Sequence, residues 1–476
     1  MGKKDSVKID FCGTNAAEVT GSCIWIKTPE RQILLELGLY QSCGSTLDNY
    51  KINNKSFKFK SKEIDYVFVC HTHADHLCRV PLLFKRGGDA KLIAPENTKP
   101  LAEILLNDSA NIMVSDAEEL SKKFNRDYSP IYDQSDVQCA LNHYFEYRIG
   151  DMVELDEYVK FRFVPSGHIL NSAQLELWVT SGNMTKKIAY TSDLGNVHID
   201  KYYTNKYIPI TKADIFIGES TYANNDKVAN KSMRKKDLDK LKTSIIQTCV
   251  DNGGRVLIPV FAQDRAQNML TCLYDLFGSD SSFNIPVLID SPMAVRMCGA
   301  YSDILSGDSL DKWKEVLSWK NIVFVRDYVE SRSWRELNSP AIVLSSSGMI
   351  VSRGRSAAWA HSVLPVDRDR IIFCGYAAEG SIAHTIKNGG QKTITISGDK
   401  VKNRCQVTVL NSFSSHMQRD SLLRNYGKVD AEKLILVHGD MNGKIEFSKK
   451  LQEELSKNDL TTRVICANKD YSLTLH

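Results

Sequence analysis

The stretch Val67–His76, VFVCHTHADH, decides which fold and which chemistry we expect of this chain. Its short apolar run is typical of a strand buried on both faces, and it ends directly before His71. In an extended segment His71 and His73 point the same way, because side chains alternate with a period of two. Asp75 and His76 follow where a helix is predicted to begin, so they can face a second point. This spacing favours two adjacent metal ions, and imidazole with carboxylate suits zinc.

The composition is that of an ordinary globular protein and argues against several other classes. The 476 residues are 42% hydrophobic and 25% charged, which is enough for two or three domains. A net charge of +4 permits a polyanionic partner without arguing for one. The sequence has no apolar run long enough for a membrane span and no secretory signal, and its twelve cysteines form no CxxC pair. We therefore expect a cytoplasmic protein in a reducing compartment, with no membrane contact.

Strand and helix patterns divide the chain into three parts. Residues 1–213 predict a domain rich in strands that turn at glycines. Residues 214–392 alternate strands with helices, which predicts a parallel sheet covered by helices. Residues 393–476 return to short strands, and one of them, Leu434–Val437, ends at a histidine as the early strands do. We expect this third part to complete the first domain, so that the middle part is an insertion.

The other candidate ligands each lie just past a predicted strand. His168 follows one strand, Asp193 the next but one, and His438 a late one, so we expect these side chains to converge. A two-metal hydrolase needs ligands that hold the ions roughly 3.5–4 Å apart with a hydroxide between them. A carboxylate has two oxygens to share, so Asp193 would bridge the ions. The expected sets are His71, His73 and His168 for one ion, and Asp75, His76 and His438 for the other.

A separate acid is needed to protonate the leaving group, and His416 is the candidate. A histidine beside a carboxylate is held charged and oriented. Glu219, at the end of the first strand of the predicted insertion, is the candidate partner. On pattern alone, Glu219 can also be read as a helix cap or a surface carboxylate.

These motifs together resemble a known family. The histidine cluster, with Gly167-His168, Ser192-Asp193 and His438-Gly439, resembles the signature of the metallo-β-lactamase superfamily. Three further motifs are similar to those of its β-CASP branch, which includes the cleavage-and-polyadenylation endonuclease and its bacterial and archaeal relatives. They are Glu219-Ser220-Thr221-Tyr222, Phe413-Ser414-Ser415-His416 and Val437-His438-Gly439. The resemblance covers essentially the whole chain.

The resemblance implies a fold and an activity. The expected fold is α/β, a metallo-β-lactamase αββα sandwich with an inserted α/β β-CASP domain. The expected activity is hydrolysis of single-stranded RNA with two Zn²⁺ per chain by a two-metal hydroxide mechanism, more in keeping with an endonuclease than an exonuclease. In the family a histidine at the position of His438 marks RNA-cutting members, whereas the DNA-repair nucleases have valine. Asp75, His416 and Glu219 are the expected catalytic residues. The resemblance also allows a homodimer.

The resemblance also concerns residues around the metal ligands and in the inserted part. Glu36 stands where the family usually has an aspartate that supports the ligands, and its extra methylene can alter metal affinity. Gln418 replaces another acid that the family places two residues after the histidine of its second motif. Phosphate contacts are expected by analogy from a loop in the insertion, because backbone amides and a guanidinium suit phosphate oxygens. The residues concerned are Ser345, Ser346, Ser347, Gly348 and Arg353.

Two other functions stay open on the sequence. The first is a catalytically weakened RNA-binding or scaffold member of the same family, which the substitutions Glu36 and Gln418 allow. The second is a metallo-hydrolase of small esters, against which the inserted domain argues. The RNA sequence preference and the pathway do not follow from the residues.

Overall fold

The computed structural model describes residues 5–42, 44–224 and 230–476, and these form two compact units. Unit 1 comprises the described residues of Met1–Val197, Thr204–Val228 and Ser415–His476. Unit 2 comprises those of His198–Tyr203 and Ala229–Ser414. Unit 2 therefore interrupts unit 1 in sequence, as the prediction of an insertion requires.

The first part of unit 1 is built mainly from strands. Its strands are β1 (Val7–Phe11), β2 (Ile24–Lys27), β3 (Gln32–Leu35), β4 (Tyr66–Phe68), β5 (Lys91–Pro95), β6 (Tyr144–Tyr147), β7 (Met152–Glu154), β8 (Val159–Pro165), β9 (Ala173–Ser181), β10 (Met184–Tyr190) and β11 (Ile215–Glu219). Its helices are α1 (Thr46–Asn53), α2 (Ala74–Leu77), α3 (Val80–Lys85), α4 (Lys99–Phe124) and α5 (Gln134–Asn142).

Unit 2 alternates strands with helices, and a closing part then returns to unit 1. The strands of unit 2 are β12 (Arg255–Pro259), β13 (Val287–Asp290), β14 (Ile322–Phe324), β15 (Ala341–Ser345), β16 (Arg370–Phe373), β17 (Thr393–Ile396), β18 (Asp399–Lys402) and β19 (Gln406–Val409). Its helices are α6 (Lys231–Ile245), α7 (Arg265–Phe277), α8 (Pro292–Ile304), α9 (Gly307–Leu317), α10 (Tyr328–Leu337), α11 (Arg355–Val363) and α12 (Ile382–Asn388). The closing part has α13 (Arg419–Tyr426), β20 (Lys433–Val437), α14 (Met441–Lys457), β21 (Arg463–Cys466) and β22 (Ser472–Leu475).

Two seven-stranded sheets pack face to face in unit 1. The first has the order β22-β1-β2-β3-β4-β5-β6, and the second has the order β21-β20-β11-β10-β9-β8-β7. Their inner faces share one apolar core, in which the rings of Phe68 on β4 and Phe161 on β8 lie 5.1 Å apart. Leu422 of α13 and Phe447 of α14 pack with residues of the second sheet on its other face. This layered arrangement confirms the predicted fold class for unit 1.

A single parallel sheet forms the centre of unit 2. Its order is β14-β13-β15-β12-β16-β19, and every neighbouring pair is parallel. Trp359 of α11 and Ile386 of α12 pack with Val343 of β15 in the core of this unit. The alternation of strands and helices thus gives the predicted parallel sheet with helices packed on it.

The boundaries between the two units differ from the predicted ones at residues 214 and 392. The strand β11 pairs with β10 and β20 in the second sheet of unit 1, although we predicted it as the first strand of the insertion. The strand β19 pairs with β16 in unit 2, although we assigned it to the completing part. Both are short, largely apolar strands, and their residues alone do not reveal which sheet they join.

The longest described helix is α4, which spans Lys99–Phe124. None of the described helices is both long enough and apolar enough to cross a membrane.

Candidate metal centre

All the predicted metal ligands lie in unit 1, where strands of both sheets end. After β4, the chain extends through His71 and His73 before α2 begins at Ala74, and α2 carries Asp75 and His76 in its single turn. His168 follows β8, Asp193 follows β10, and His438 directly follows β20. The structure thus brings together side chains that are up to 367 positions apart in the sequence, from His71 to His438.

The first predicted set of ligands forms a tight group of nitrogen and oxygen atoms. The Nδ1 of His73 lies 3.2 Å from the Nε2 of His71 and 3.4 Å from the Nε2 of His168. The Oδ2 of Asp193 lies 3.5 Å from the Nε2 of both His71 and His168. Bonds of about 2.0–2.1 Å to a tetrahedral zinc ion separate ligand atoms by about 3.3 Å, so these spacings fit one such ion.

The second predicted set forms an equally tight group beside the first. The Nε2 of His438 lies 3.3 Å from the Oδ2 of Asp75 and 3.3 Å from the Nε2 of His76. The Oδ1 of Asp193 lies 3.4 Å from the Nε2 of His76. Each carboxylate oxygen of Asp193 therefore faces a different set of nitrogens.

The burial of Asp193 also fits a bound cation. Asp193 is only 2% exposed, and its Oδ1 accepts no hydrogen bond from the described residues. Burial alone would raise the pKa of this carboxyl, but the surrounding His438, His76 and His416 hold the pKa well below its usual range. A buried, charged carboxylate oxygen without a donor is costly unless a cation satisfies it. These donors fit a metal cofactor.

The pKa values of three ligand imidazoles are shifted, two of them down and one up. Burial, with a smaller effect of His71, lowers the pKa of His73 to about 3, and burial with His416 lowers the pKa of His168 well below its usual value. These rings are neutral, as a metal ligand must be. Burial also acts to lower the pKa of His76, but Asp193 and Asp75 outweigh it and raise the pKa to about 10. Metal binding at His76 must therefore release a proton.

The ring nitrogens that face away from the cluster have partners of their own. The Nδ1 of His71 lies 3.1 Å from the Oγ of Ser192, and the Nδ1 of His438 lies 2.9 Å from the Oγ1 of Thr221. The Nδ1 of His168 lies 3.3 Å from the carbonyl oxygen of Ser415. Such contacts fix which nitrogen carries the proton and hold the ring orientation.

Glu36 lies directly behind the ligands, where the resemblance led us to expect it. Its Oε1 accepts hydrogen bonds from the backbone N–H of Cys70, at 3.2 Å, and from the hydroxyl of Ser192, at 3.0 Å. The same oxygen lies 3.6 Å from the Nδ1 of His76. Glu36 is fully buried and lies near both His71 and His76 in the interior of unit 1.

The predicted pair of His416 and Glu219 is also at this centre. The Nδ1 of His416 lies 3.4 Å from the Oε1 of Glu219, and its Nε2 lies 3.9 Å from the Oδ2 of Asp193. Burial lowers the pKa of His416, but the charges of Asp193 and Glu219 outweigh it, so the pKa is raised overall. Glu219 also accepts hydrogen bonds from the backbone N–H groups of Leu194 and Thr221, at 2.9 and 3.1 Å. Glu219 is therefore neither a surface residue nor a helix cap.

Two glycines let the ligand loops approach one another. A Cβ atom on Gly38 would lie 1.6 Å from the carbonyl oxygen of Asp75, and one on Gly195 would lie 2.0 Å from that of Gly167. Real atoms never come so close, so neither position accepts a side chain without moving a ligand-bearing loop. The Gln418 side chain adds a bond nearby, since its amide donates to the carbonyl of His416 at 3.1 Å.

The predicted phosphate-binding loop lies in unit 2, after β15. Ser345 is fully buried and its hydroxyl donates to the carbonyl of Asp290 at 2.9 Å. The hydroxyl of Ser346 lies 2.6 Å from that of Ser291. Ser346, Ser347 and Gly348 are half-buried, while Arg353 is exposed and its backbone N–H donates to the Oγ of Ser397 at 3.2 Å. The Ser345 side chain is therefore occupied within the fold.

Sequence reasoning missed two hydroxyl groups at the centre, those of Ser192 and Thr221. Both residues stood inside motifs that drew attention for their acidic neighbours, Asp193 and Glu219. Nothing in their type or spacing distinguishes them from other serines and threonines. Their contacts with His71 and His438 depend on how distant segments meet, which no local pattern encodes.

Two family models match parts of this chain. One describes a Beta-Casp domain and matches residues 266–386. The other describes a Zn-dependent metallo-hydrolase RNA specificity domain and matches residues 400–462. The second match spans the end of unit 2 and most of the closing part of unit 1, including His416 and His438.

Curated relatives match over most of the chain. The probable RNase MJ4 of Methanocaldococcus jannaschii is 30% identical over 440 residues, which is 91% of this chain and 93% of the relative. Ribonuclease TTHA0252 of Thermus thermophilus is 29% identical over 432 residues, 89% of this chain and 91% of the relative. The transcription termination factor FttA of Methanocaldococcus jannaschii is 26% identical over 460 residues, 93% of this chain and 68% of the relative.

A solved structure supports the fold alone. A protein of unknown function from Enterococcus faecalis V583 has a TM-score of 0.51 at 10% identity, covering 99% of this chain and all of the other. Together with the identity to the archaeal relative over nine tenths of both chains, these findings show that the chain belongs to the β-CASP family of metallo-β-lactamase-fold hydrolases.

Proposed function

We propose that this protein is a zinc-dependent ribonuclease that hydrolyses phosphodiester bonds of single-stranded RNA with two metal ions. The observation that carries the proposal is the shared position of Asp193, whose Oδ2 lies near the first set of ligands and whose Oδ1 lies near the second. The names of its relatives, which include ribonucleases, support RNA as the substrate. The matched RNA specificity model supports the same substrate class.

The proposed roles follow from the contacts of each side chain. His71, His73 and His168 would hold one ion and Asp75, His76 and His438 the other, with the carboxylate of Asp193 available to both. Zinc ions bound there would lower the pKa of a water molecule towards neutrality and stabilise negative charge on the phosphate. Asp75 contributes to catalysis as a charged ligand beside the reacting phosphate.

His416 is the proposed general acid. Its Nδ1 lies 3.4 Å from Glu219, which orients the ring and keeps a proton available on it. The Nε2 then donates a proton to the oxygen that leaves the phosphorus. Glu219 accepts hydrogen bonds from two backbone N–H groups, which fix its carboxylate in place. The imidazole of His416 is therefore oriented by a rigid partner. Hydrolysis of this kind leaves a 5′-phosphate and a 3′-hydroxyl, and we expect internal cuts.

The test is cleavage of single-stranded RNA labelled at either end, with zinc and with a chelator. Asp193→Asn removes one charge from the shared carboxylate, and we expect it to abolish both cleavage and the binding of a second zinc ion. Asp151→Asn, at an exposed position of unit 1, is the matched control and should behave as the parent does. Internal products from both labels indicate an endonuclease. Cleavage at the parental rate by Asp193→Asn, or in chelator, would overturn the proposal.

A further inference from the structure

Ser192 occupies an unusual place between a buried carboxylate and a metal-binding ring. Its hydroxyl donates to the Oε1 of Glu36 at 3.0 Å, and its Oγ lies 3.1 Å from the Nδ1 of His71. All three side chains are 1% exposed or less. No solvent reaches this chain of contacts, so its members can be satisfied only by one another and by neighbouring protein groups.

The single proton of the serine hydroxyl fixes the direction of both bonds. Because the hydroxyl donates to Glu36, only a lone pair of Oγ faces His71, so the Nδ1 of His71 must be the donor. In the neutral imidazole of His71 the proton then resides on Nδ1, which leaves Nε2 free to bind a metal. That Nε2 is the atom that lies among the first set of ligands.

The backbone of Ser192 adopts a conformation that is costly for a residue with a side chain. Its φ is 48°, in the left-handed region that glycine adopts readily and that other residues rarely do. A glycine here would relieve the backbone but remove the hydroxyl. The position therefore separates two effects that usually change together, the stability of the fold and the orientation of His71.

We propose that Ser192 is a positioning residue that transmits the charge of Glu36 to His71 and so sets the zinc affinity of the first set of ligands. Hydrogen-bond contacts connect Glu36 to His71 through Ser192, whereas Glu36 approaches the Nδ1 of His76 directly, at 3.6 Å. Glu36 thus orients a ligand of each set, His71 through the Ser192 hydroxyl and His76 directly. This inference rests on the ligand roles given under the proposed function.

The test compares Ser192→Gly with the parent by zinc affinity, measured in competition with a chromogenic chelator, and by urea unfolding of the metal-free protein. We expect about tenfold weaker zinc binding, the size usual for a lost partner of a metal ligand. Relief of the positive φ should offset part of the loss of the buried hydroxyl contacts, so the metal-free free energy of unfolding should fall less than in Ser192→Ala. A role that is merely structural would leave the zinc affinity unchanged.

A matched control exists in unit 2. Ser397 has a φ of 51°, so Ser397→Gly makes the same change at the same backbone conformation away from the ligand set. We expect parental zinc affinity for this variant. Ser192→Ala, which keeps the Cβ atom, should weaken zinc binding as much as Ser192→Gly does, because both lack the hydroxyl.

A double-mutant cycle tests the direction of the effect. If Ser192 acts through Glu36, then Glu36→Gln with Ser192→Gly should bind zinc no more weakly than Glu36→Gln alone. Parental zinc affinity in Ser192→Gly, or losses that multiply fully in the double variant, would overturn the inference. Because zinc affinity is measured without RNA, failure here is distinct from failure of the proposed ribonuclease, which the Asp193→Asn cleavage experiment reports.

Discussion

The metal centre of unit 1 and the serine loop of unit 2 (residues 345–353) were both predicted as binding sites, yet their side chains make different kinds of contact. In the centre, nitrogen and oxygen atoms of several side chains face one another at 3.2–3.6 Å. In the loop, the hydroxyl of Ser345 already donates to a carbonyl, and that of Ser346 faces Ser291. Ligand-type atoms that converge at these spacings fit a metal ion, whereas hydroxyls already bonded within the fold fit a structural role.

The largest expected effect comes from breaking the second set of ligands. His76→Ala should lower RNA cleavage by about 10⁴-fold, equivalent to the several kcal/mol that a catalytic metal ion supplies. Zinc content should fall by one ion per chain, which elemental analysis of the purified protein measures. His361→Ala, at an exposed histidine of unit 2, serves as the control. Unchanged cleavage by His76→Ala would remove the basis for treating this set as catalytic.

A smaller effect is expected at the proposed acid. His416→Ala should lower the cleavage rate by about 10²–10³-fold, the usual contribution of a general acid. It should keep the zinc content of the parent, because neither predicted set includes His416. Single-turnover cleavage and metal analysis of the same preparation check both statements. A loss of zinc from His416→Ala would mean that the side chain belongs to the ligands instead.

The next prediction concerns the serine loop, where one residue is expected to affect RNA binding and another is expected to affect stability. Arg353→Ala should weaken RNA binding about 3- to 10-fold and lower the salt dependence of binding by about one ion, as the loss of a phosphate contact does. Ser345→Ala should leave RNA binding unchanged but lower the free energy of unfolding by about 1 kcal/mol, because its hydroxyl bond is buried. Binding titrations at several salt concentrations and urea unfolding measure these effects.

The control for this pair is Arg326→Ala, at another exposed arginine of unit 2. It should bind RNA as the parent does over the same range of salt. Equal weakening by Arg326→Ala and Arg353→Ala would assign the effect to net charge. Weakened RNA binding by Ser345→Ala at unchanged stability would contradict the structural role of that hydroxyl.

The smallest effect concerns a buried charged group of unit 1 outside the centre. Lys444 of α14 is fully buried and donates to the carbonyls of Ala16 and Ala467. Burial lowers its pKa from 10.5 to about 8. Between pH 8 and 10.5 the unfolded chain therefore binds the proton that the folded chain has lost, so the stability of the parent rises with pH.

This pH dependence is best measured against Lys444→Met, which lacks the titrating group. From pH 8 to pH 10 the free energy of unfolding of the parent should rise relative to that of Lys444→Met. Below pH 7 the difference between the two should stay constant. Urea unfolding at four pH values gives the difference directly. A flat difference across this range would mean that Lys444 keeps its ordinary pKa when the protein is folded.

The sequence predicted the centre better than it predicted the domain boundaries, and the reason is physical. His71 to His76 stand together in the chain, and each remaining ligand follows a strand end, so a local pattern exists for them. The strands β11 and β19 carry no such mark, because sheet membership is decided by long-range pairing. The contact of Ser192 with Glu36 likewise joins positions 156 residues apart, and no spacing rule reports it.

The interruption of unit 1 by unit 2 has a consequence for translation. The ribosome makes His71, His73, Asp75, His76, His168 and Asp193 first, then the whole of unit 2, and only afterwards His416 and His438. A nascent or truncated chain that stops before residue 416 lacks both the proposed acid and the last ligand of the second set. A chain made in this order would therefore lack part of its proposed active site until nearly all of its residues had been joined.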